Sequence, residues 1–127
     1  MEVRSAQILL AEDDPLVRDV ITMGLTSRGW HVETAQNGRE AVEKWRSGSF
    51  DVILMDLQMP EMNGLEATRI IRSGEAAIGK HIAIFGITAY VEEEALGNCI
   101  NAGMDLVLSK PLHFDDLCAA INDSRTN

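Results

Sequence analysis

Apolar positions in this chain of 127 residues alternate between two kinds of run. Short unbroken stretches such as Ile8-Leu9-Leu10-Ala11 and Val52-Ile53-Leu54-Met55 have no polar face, as expected of strands covered on both sides. Between them apolar residues recur at helical spacing, as in Phe114, Leu117, Cys118 and Ile121, a stripe that packs on a sheet. The pattern predicts strands over Gln7–Glu12, His31–Ala35, Asp51–Met55, Ile82–Ile87 and Leu106–Leu108. It predicts helices over Pro15–Ser27, Arg39–Arg46, Leu65–Arg72, Val91–Asn101 and Phe114–Asp123. Strict β/α alternation of this kind implies an α/β fold, a five-stranded parallel sheet with right-handed crossovers and helices on both faces.

Local chemistry sharpens some boundaries. Asp14 before Pro15 offers a capping carboxylate to a helix whose first residue needs no N–H. Glu92-Glu93-Glu94 favours the positive end of the fourth helix, but Gly97 in its interior costs about 1 kcal/mol relative to alanine, making this the helix most easily shifted. The first few residues and Ser124 to Asn127 read as loose ends.

Length and composition allow one domain over residues 1–127, with its core over about 6–123. A net charge of -9, from 11 Lys+Arg against 20 Asp+Glu, repels nucleic acid and anionic membranes. No apolar run approaches the roughly 20 residues that span a bilayer, so the expected location is cytoplasmic. Cys99 and Cys118 fall on apolar helix faces and read as buried thiols rather than a disulfide or metal pair; His31, His81 and His113 lack metal-ligand spacing.

The reactive side chains all stand where strands end: Glu12-Asp13-Asp14, Asp56, Thr88 and Lys110-Pro111. Ligands of parallel α/β sheets bind in the crevice at those carboxyl ends. Each residue has a plainer role open to it, and for Asp14 the cap is preferred; Thr88 suits any strand and Lys110 any turn. Their joint placement at four strand ends points instead to a cation and a phosphoryl group. The loop after Asp56, punctuated by Pro60 and Gly64, is expected to expose that carboxylate to solvent, ready to bind metal or attack phosphorus. Asp13, Asp56 and a backbone carbonyl near Gln58 suit a small hard cation such as Mg²⁺, with Glu12 holding a metal-bound water. Thr88 and Lys110 would then share the phosphoryl oxygens, and phosphoryl transfer by positioning and charge needs no separate general base.

The segments Ile8 to Pro15, Asp56-Leu57-Gln58-Met59-Pro60 with Gly64, Thr88-Ala89, Ala102-Gly103-Met104-Asp105 and Lys110-Pro111 make the chain resemble a receiver domain of two-component signalling over essentially its whole length. The resemblance implies the flavodoxin-like strand order 2-1-3-4-5. It implies that Asp56 accepts a phosphoryl group from a phosphohistidine on a histidine kinase or histidine phosphotransfer domain, with Mg²⁺ or Mn²⁺ as cofactor. Thr88 would be the switch hydroxyl, Lys110 the phosphate-binding cation, and the backbones of Leu57 and Ala89 phosphoryl contacts. The Lys110–Pro111 bond would be cis, and Gln58 and Tyr90 would tune the phosphoryl lifetime. Val107 departs from the family pattern, which commonly has an aromatic residue there, and so alters the usual switch.

The same resemblance leans toward receivers of hybrid histidine kinases, whose parent chain carries the kinase activity; alone, this unit would only phosphorylate and dephosphorylate itself at Asp56. Homodimerisation on phosphorylation is compatible with it. The alternatives are a pseudo-receiver that binds partners without phosphorylation, a haloacid-dehalogenase-type phosphohydrolase, which wants an acid where Gln58 stands, and a flavodoxin-like cofactor binder, which wants a phosphate loop after Glu12.

Overall fold

The structure, a computed structural model, describes residues 5–89 and 92–125. Elements alternate as β1 (Gln7–Ala11), α1 (Pro15–Thr26), β2 (His31–Ala35), α2 (Gly38–Ser47), β3 (Val52–Asp56), α3 (Gly64–Ile78), β4 (Ala83–Thr88), α4 (Glu93–Ala102), β5 (Leu106–Ser109) and α5 (Phe114–Arg125). The five strands are all parallel in the order β2-β1-β3-β4-β5, the expected flavodoxin-like arrangement. Tyr90 and Val91, the latter the expected start of the fourth helix, lie outside the described residues.

Successive residues of one strand feed opposite layers, because side chains alternate across a sheet. Ile8 and Leu10 pack with Ile21, Leu25, Leu117 and Ile121 under α1 and α5. Leu9 and Ala11 pack with Ala41, Ala67, Ile71 and Cys99 under α2, α3 and α4. Both cysteines are buried and free, as expected. Among the described residues no helix is long and apolar enough to cross a membrane.

Most boundaries shift by a residue or two from expectation, and three of the shifts have identifiable reasons. Helix α3 does not stop at Arg72 but runs to Ile78, where Gly79 closes it in the left-handed region at φ 67°. Ser73-Gly74 looks like a stop, yet Gly74 is the place where the Trp45 ring of α2 leans on α3: a Cβ there would lie 2.7 Å from the ring. Helix α2 begins at Gly38 rather than Arg39, capped by the Asn37 side chain on Glu40 N at 2.8 Å. The C-terminal helix also takes up Ser124 and Arg125, beyond its expected end at Asp123; the Ser124 hydroxyl donates to Ile121 O at 2.7 Å.

The extra turn of α3 carries Glu75, which is almost wholly buried. Arg72 Nη1 donates to Glu75 Oε1 at 2.5 Å and to Ile82 O at 2.7 Å, Nε to Gly103 O at 2.8 Å, and Nη2 to Asp105 Oδ2 at 2.7 Å. Glu75 Oε2 accepts from Ile82 N, and Asp105 also holds Ile84 N at 2.8 Å and faces His81 Nε2 at 2.7 Å. This network ties α3, the start of β4 and the turn before β5 at the sheet end remote from the acidic residues. It leaves the other end to chemistry.

Candidate functional site

Strand β1 delivers Glu12, whose N–H continues the ladder to Ala35 O at 3.0 Å. Its side chain turns inward and is only 1% exposed. Two local bonds hold the turn that follows: Arg18 Nη1 donates to Glu12 O at 2.9 Å, and Asp14 N donates to Glu12 Oε2 at 3.1 Å. The Asp14 carboxylate caps α1, accepting from Leu16 N at 2.9 Å and Val17 N at 3.4 Å. Asp13, between them, stays exposed.

Strand β3 delivers Asp56. Contrary to the expectation of a solvent-exposed nucleophile, the residue is only 4% exposed. The loop after it packs closely on the strand-end backbone: Gly64 N donates to Leu57 O at 3.1 Å, and a Cβ on Gly64 would lie 2.3 Å from Asp56 O. Asp56 Oδ1 accepts from Gln58 N at 3.2 Å, while Oδ2 faces Lys110 Nζ at 3.2 Å. Lys110 also lies 3.4 Å from Glu12 Oε1, so one ammonium bridges two buried carboxylates. Its own N–H donates to Thr88 O at 2.9 Å, and the Lys110–Pro111 bond is cis.

The electrostatics follow from this geometry. Burial above all, with the neighbouring Asp56 carboxylate, pushes the Glu12 carboxyl from 4.5 up to about 7, against the opposing Asp14 N–H and Lys110. Burial alone would lower the Lys110 ammonium, but the charges of Asp56 and Glu12 outweigh it and hold Lys110 above its ordinary value.

Glu12, Asp13, Asp56, Gln58, Thr88, Ala89 and Lys110 all line one cleft of about 260 Å³, with the capping Asp14 at its edge. Leu57 does not: its N–H, expected to face a phosphoryl group, donates to Ile87 O at 3.1 Å and continues the β3–β4 ladder. The amide on Asp56 is that of Gln58. Val107 is half-buried against the α2–α3–α4 core, away from the cleft. Sequence reasoning missed Arg18, Asn37 and Glu61. Asn37-Gly38 is a legible cap signal, but Asn37 also donates from Nδ2 to Glu61 Oε2 at 2.9 Å, a partner 24 residues away that no local pattern reveals.

Carboxylate oxygens of Glu12, Asp13 and Asp56 lie within 4.8 Å of one another. Among the described residues, the buried Glu12 Oε1 has no hydrogen-bond partner, only the Lys110 ion pair. An all-oxygen set with an unsatisfied buried acceptor fits a hard divalent cation.

Residues 8–122 match the family model for the response regulator receiver domain. The chain is 36% identical over 121 residues, 91% of its length, to hybrid signal transduction histidine kinase I of Dictyostelium discoideum. It is 34% identical over 110 residues, 87% of its length, to the sensor histidine kinase RcsC of Salmonella typhi. It spans 7% and 11% of those two proteins. Among solved structures it superposes with a TM-score of 0.88 and 33% identity on the receiver domain of a sensor histidine kinase from Pseudomonas aeruginosa, determined with a magnesium ion coordinated in the active site cleft; 98% of this chain and 100% of that one are covered. The same TM-score, 0.88, at 27% identity relates it to the receiver domain of a Saccharomyces cerevisiae response regulator crystallised with the histidine phosphotransfer protein Ypd1, covering 94% of this chain and 88% of that one. Sequence, fold and acidic cleft agree: the chain belongs to the response regulator receiver domains of two-component phosphorelay signalling.

Proposed function

We propose that Asp56 is the phosphoacceptor of this receiver and takes its phosphoryl group from a phosphohistidine on a histidine kinase or histidine phosphotransfer protein. The observation that carries the reading is the meeting of Lys110 with Asp56 and Glu12, at 3.2 and 3.4 Å, in a cleft open to solvent at the strand ends. A carboxylate oxygen of Asp56 forms the new P–O bond as the P–N bond to the imidazole breaks and that nitrogen keeps the electron pair. Lys110 neutralises charge on the phosphoryl oxygens. Thr88, buried at the end of β4, supplies the hydroxyl that is drawn toward the new charge and so couples it to the packing of β4 and β5.

Asp13, Asp56 and the Gln58 carbonyl would hold Mg²⁺, with Glu12 acting through water. The ion supplies positive charge that lets two anions approach. Magnesium in the cleft of the Pseudomonas aeruginosa receiver supports this choice of metal.

The donor needs a surface beside the cleft. On α1 Leu16 is 72% exposed and Met23 70% exposed, with Val20 exposed between them. Leu16 and Val20 border a groove of about 540 Å³ that reaches Lys110, Pro111 and Phe114. A phosphotransfer protein docked on α1 would lie beside the cleft that holds Asp56; the yeast relative was crystallised with a histidine phosphotransfer protein.

Intact mass after incubation with acetyl phosphate and Mg²⁺ tests the reading. A hydroxylamine-labile gain of one phosphoryl group on the wild type and none on Asp56→Asn supports it. No adduct on the wild type, together with no spectral response to beryllofluoride, leaves a receiver that works without phosphorylation.

A further inference from the structure

The β3–α3 loop is held at three places. Its ends are fixed by the Gly64 contacts with Leu57 and Asp56, and Met59 is buried in the core. Its tip is held from another element altogether. Glu61 sits in the left-handed region at φ 64°, which a residue with a Cβ adopts only when its surroundings demand it. The Asn37 amide, 9% exposed, holds the Glu61 carboxylate at 2.9 Å, and Arg39 lies 3.3 Å from its other oxygen. Gly38 N donates to Met62 O at 2.9 Å, and a Cβ there would lie 2.3 Å from that same oxygen.

Asn37 therefore serves two elements with one side chain. Its Oδ1 caps α2 and its Nδ2 grips the loop. The gripped loop carries Gln58, whose N–H rests on Asp56 and whose residue lines the cleft. We propose that Asn37 is a positioning residue for the phosphoryl chemistry of Asp56, setting the height of the Gln58 segment over the carboxylate through its contact with Glu61. The inference rests on the phosphoacceptor reading given above. A loosened loop admits water to the acyl phosphate and shortens its life.

Aspartate caps a helix as well as asparagine does, so Asn37→Asp keeps α2 capped while turning the contact with Glu61 from a hydrogen bond into a repulsion. Glu61→Gln added to it restores a donor opposite the new carboxylate. The four proteins (wild type, each single variant and the pair) are phosphorylated with acetyl phosphate and Mg²⁺, the donor is removed, and loss of the adduct is followed by intact mass beside each melting temperature. Contacting residues couple strongly enough that Asn37→Asp is expected to shorten the lifetime about threefold or more, with the pair returning to the wild-type value. An equal or longer lifetime in Asn37→Asp, or a short one that Glu61→Gln does not restore, overturns the inference while leaving the phosphoacceptor reading intact. A wild type that forms no adduct overturns both.

Discussion

Lys110 Nζ stands 3.2 Å from Asp56 Oδ2 although 54 residues separate the two, and it is the cation that makes a buried aspartate at the end of a central strand tolerable. Without it, Glu12 and Asp56 would face each other, both buried, with no compensating charge, a costly arrangement.

Lys110→Ala should therefore slow phosphorylation by acetyl phosphate by about 10²- to 10³-fold, the usual cost of removing a charge-stabilising donor. Lys110→Arg should recover only part of the loss, since a planar guanidinium does not reproduce a compact ammonium between two carboxylates. Rates of adduct formation by intact mass check both, and an unimpaired Lys110→Ala would remove the ammonium from the proposed chemistry.

The contribution of Glu12 to the stability of the metal-free protein should fall as pH rises. Glu12 has a folded pKa of about 7 against an ordinary 4.5, so between these values the folded state binds more protons than the unfolded one. The contribution is fully present below about 4.5 and is lost as pH climbs through about 7. Urea midpoints of wild type and Glu12→Gln, compared across that span in EDTA, isolate the effect: the difference should shift in favour of the glutamine variant with rising pH.

Mg²⁺ should raise the melting temperature, and by more at pH 8 than at pH 6, because the metal requires a deprotonated site. At a concentration one hundred times Kd the gain is about 2.7 kcal/mol. Asp13→Asn should abolish most of this shift. Asp14→Asn should keep it, since asparagine caps α1 equally well and Asp14 lies outside the acidic cluster. Equal losses in the two variants, read by thermal melts, would mean that the cation is held by general negative charge rather than by Asp13.

Stability at the opposite sheet end should depend on the Arg72 network. Glu75→Ala removes one of the two carboxylates on the Arg72 guanidinium, leaving it Asp105, and takes the acceptor from Ile82 N, for an expected loss of about 1 to 3 kcal/mol. Arg28→Ala breaks only the exposed pair with Asp115, at 3.4 Å, and should leave the urea midpoint unchanged. Acetyl-phosphate labelling should survive in both variants, because neither residue lines the cleft.

The order of elements, both core layers and the strand ends that bear reactive groups could be read directly from the chain. Each depends on neighbours a few residues apart: Ile8 and Leu10 face one layer and Leu9 faces the other because a strand alternates. The family followed from motifs at those strand ends. What folding in three dimensions decided was environment. Asp56 is buried rather than exposed, held between the Gln58 amide and the Lys110 ammonium, and Glu12 keeps a proton to about pH 7 because Asp56 and the protein interior surround it. Gly74 makes room for a tryptophan of α2 instead of ending α3, and Asn37 reaches Glu61 only because α2 lies beside the β3–α3 loop. Periodicity is a property of the local chain, whereas burial, proton affinity and the partner of a long side chain are set by residues brought together only when the sheet forms.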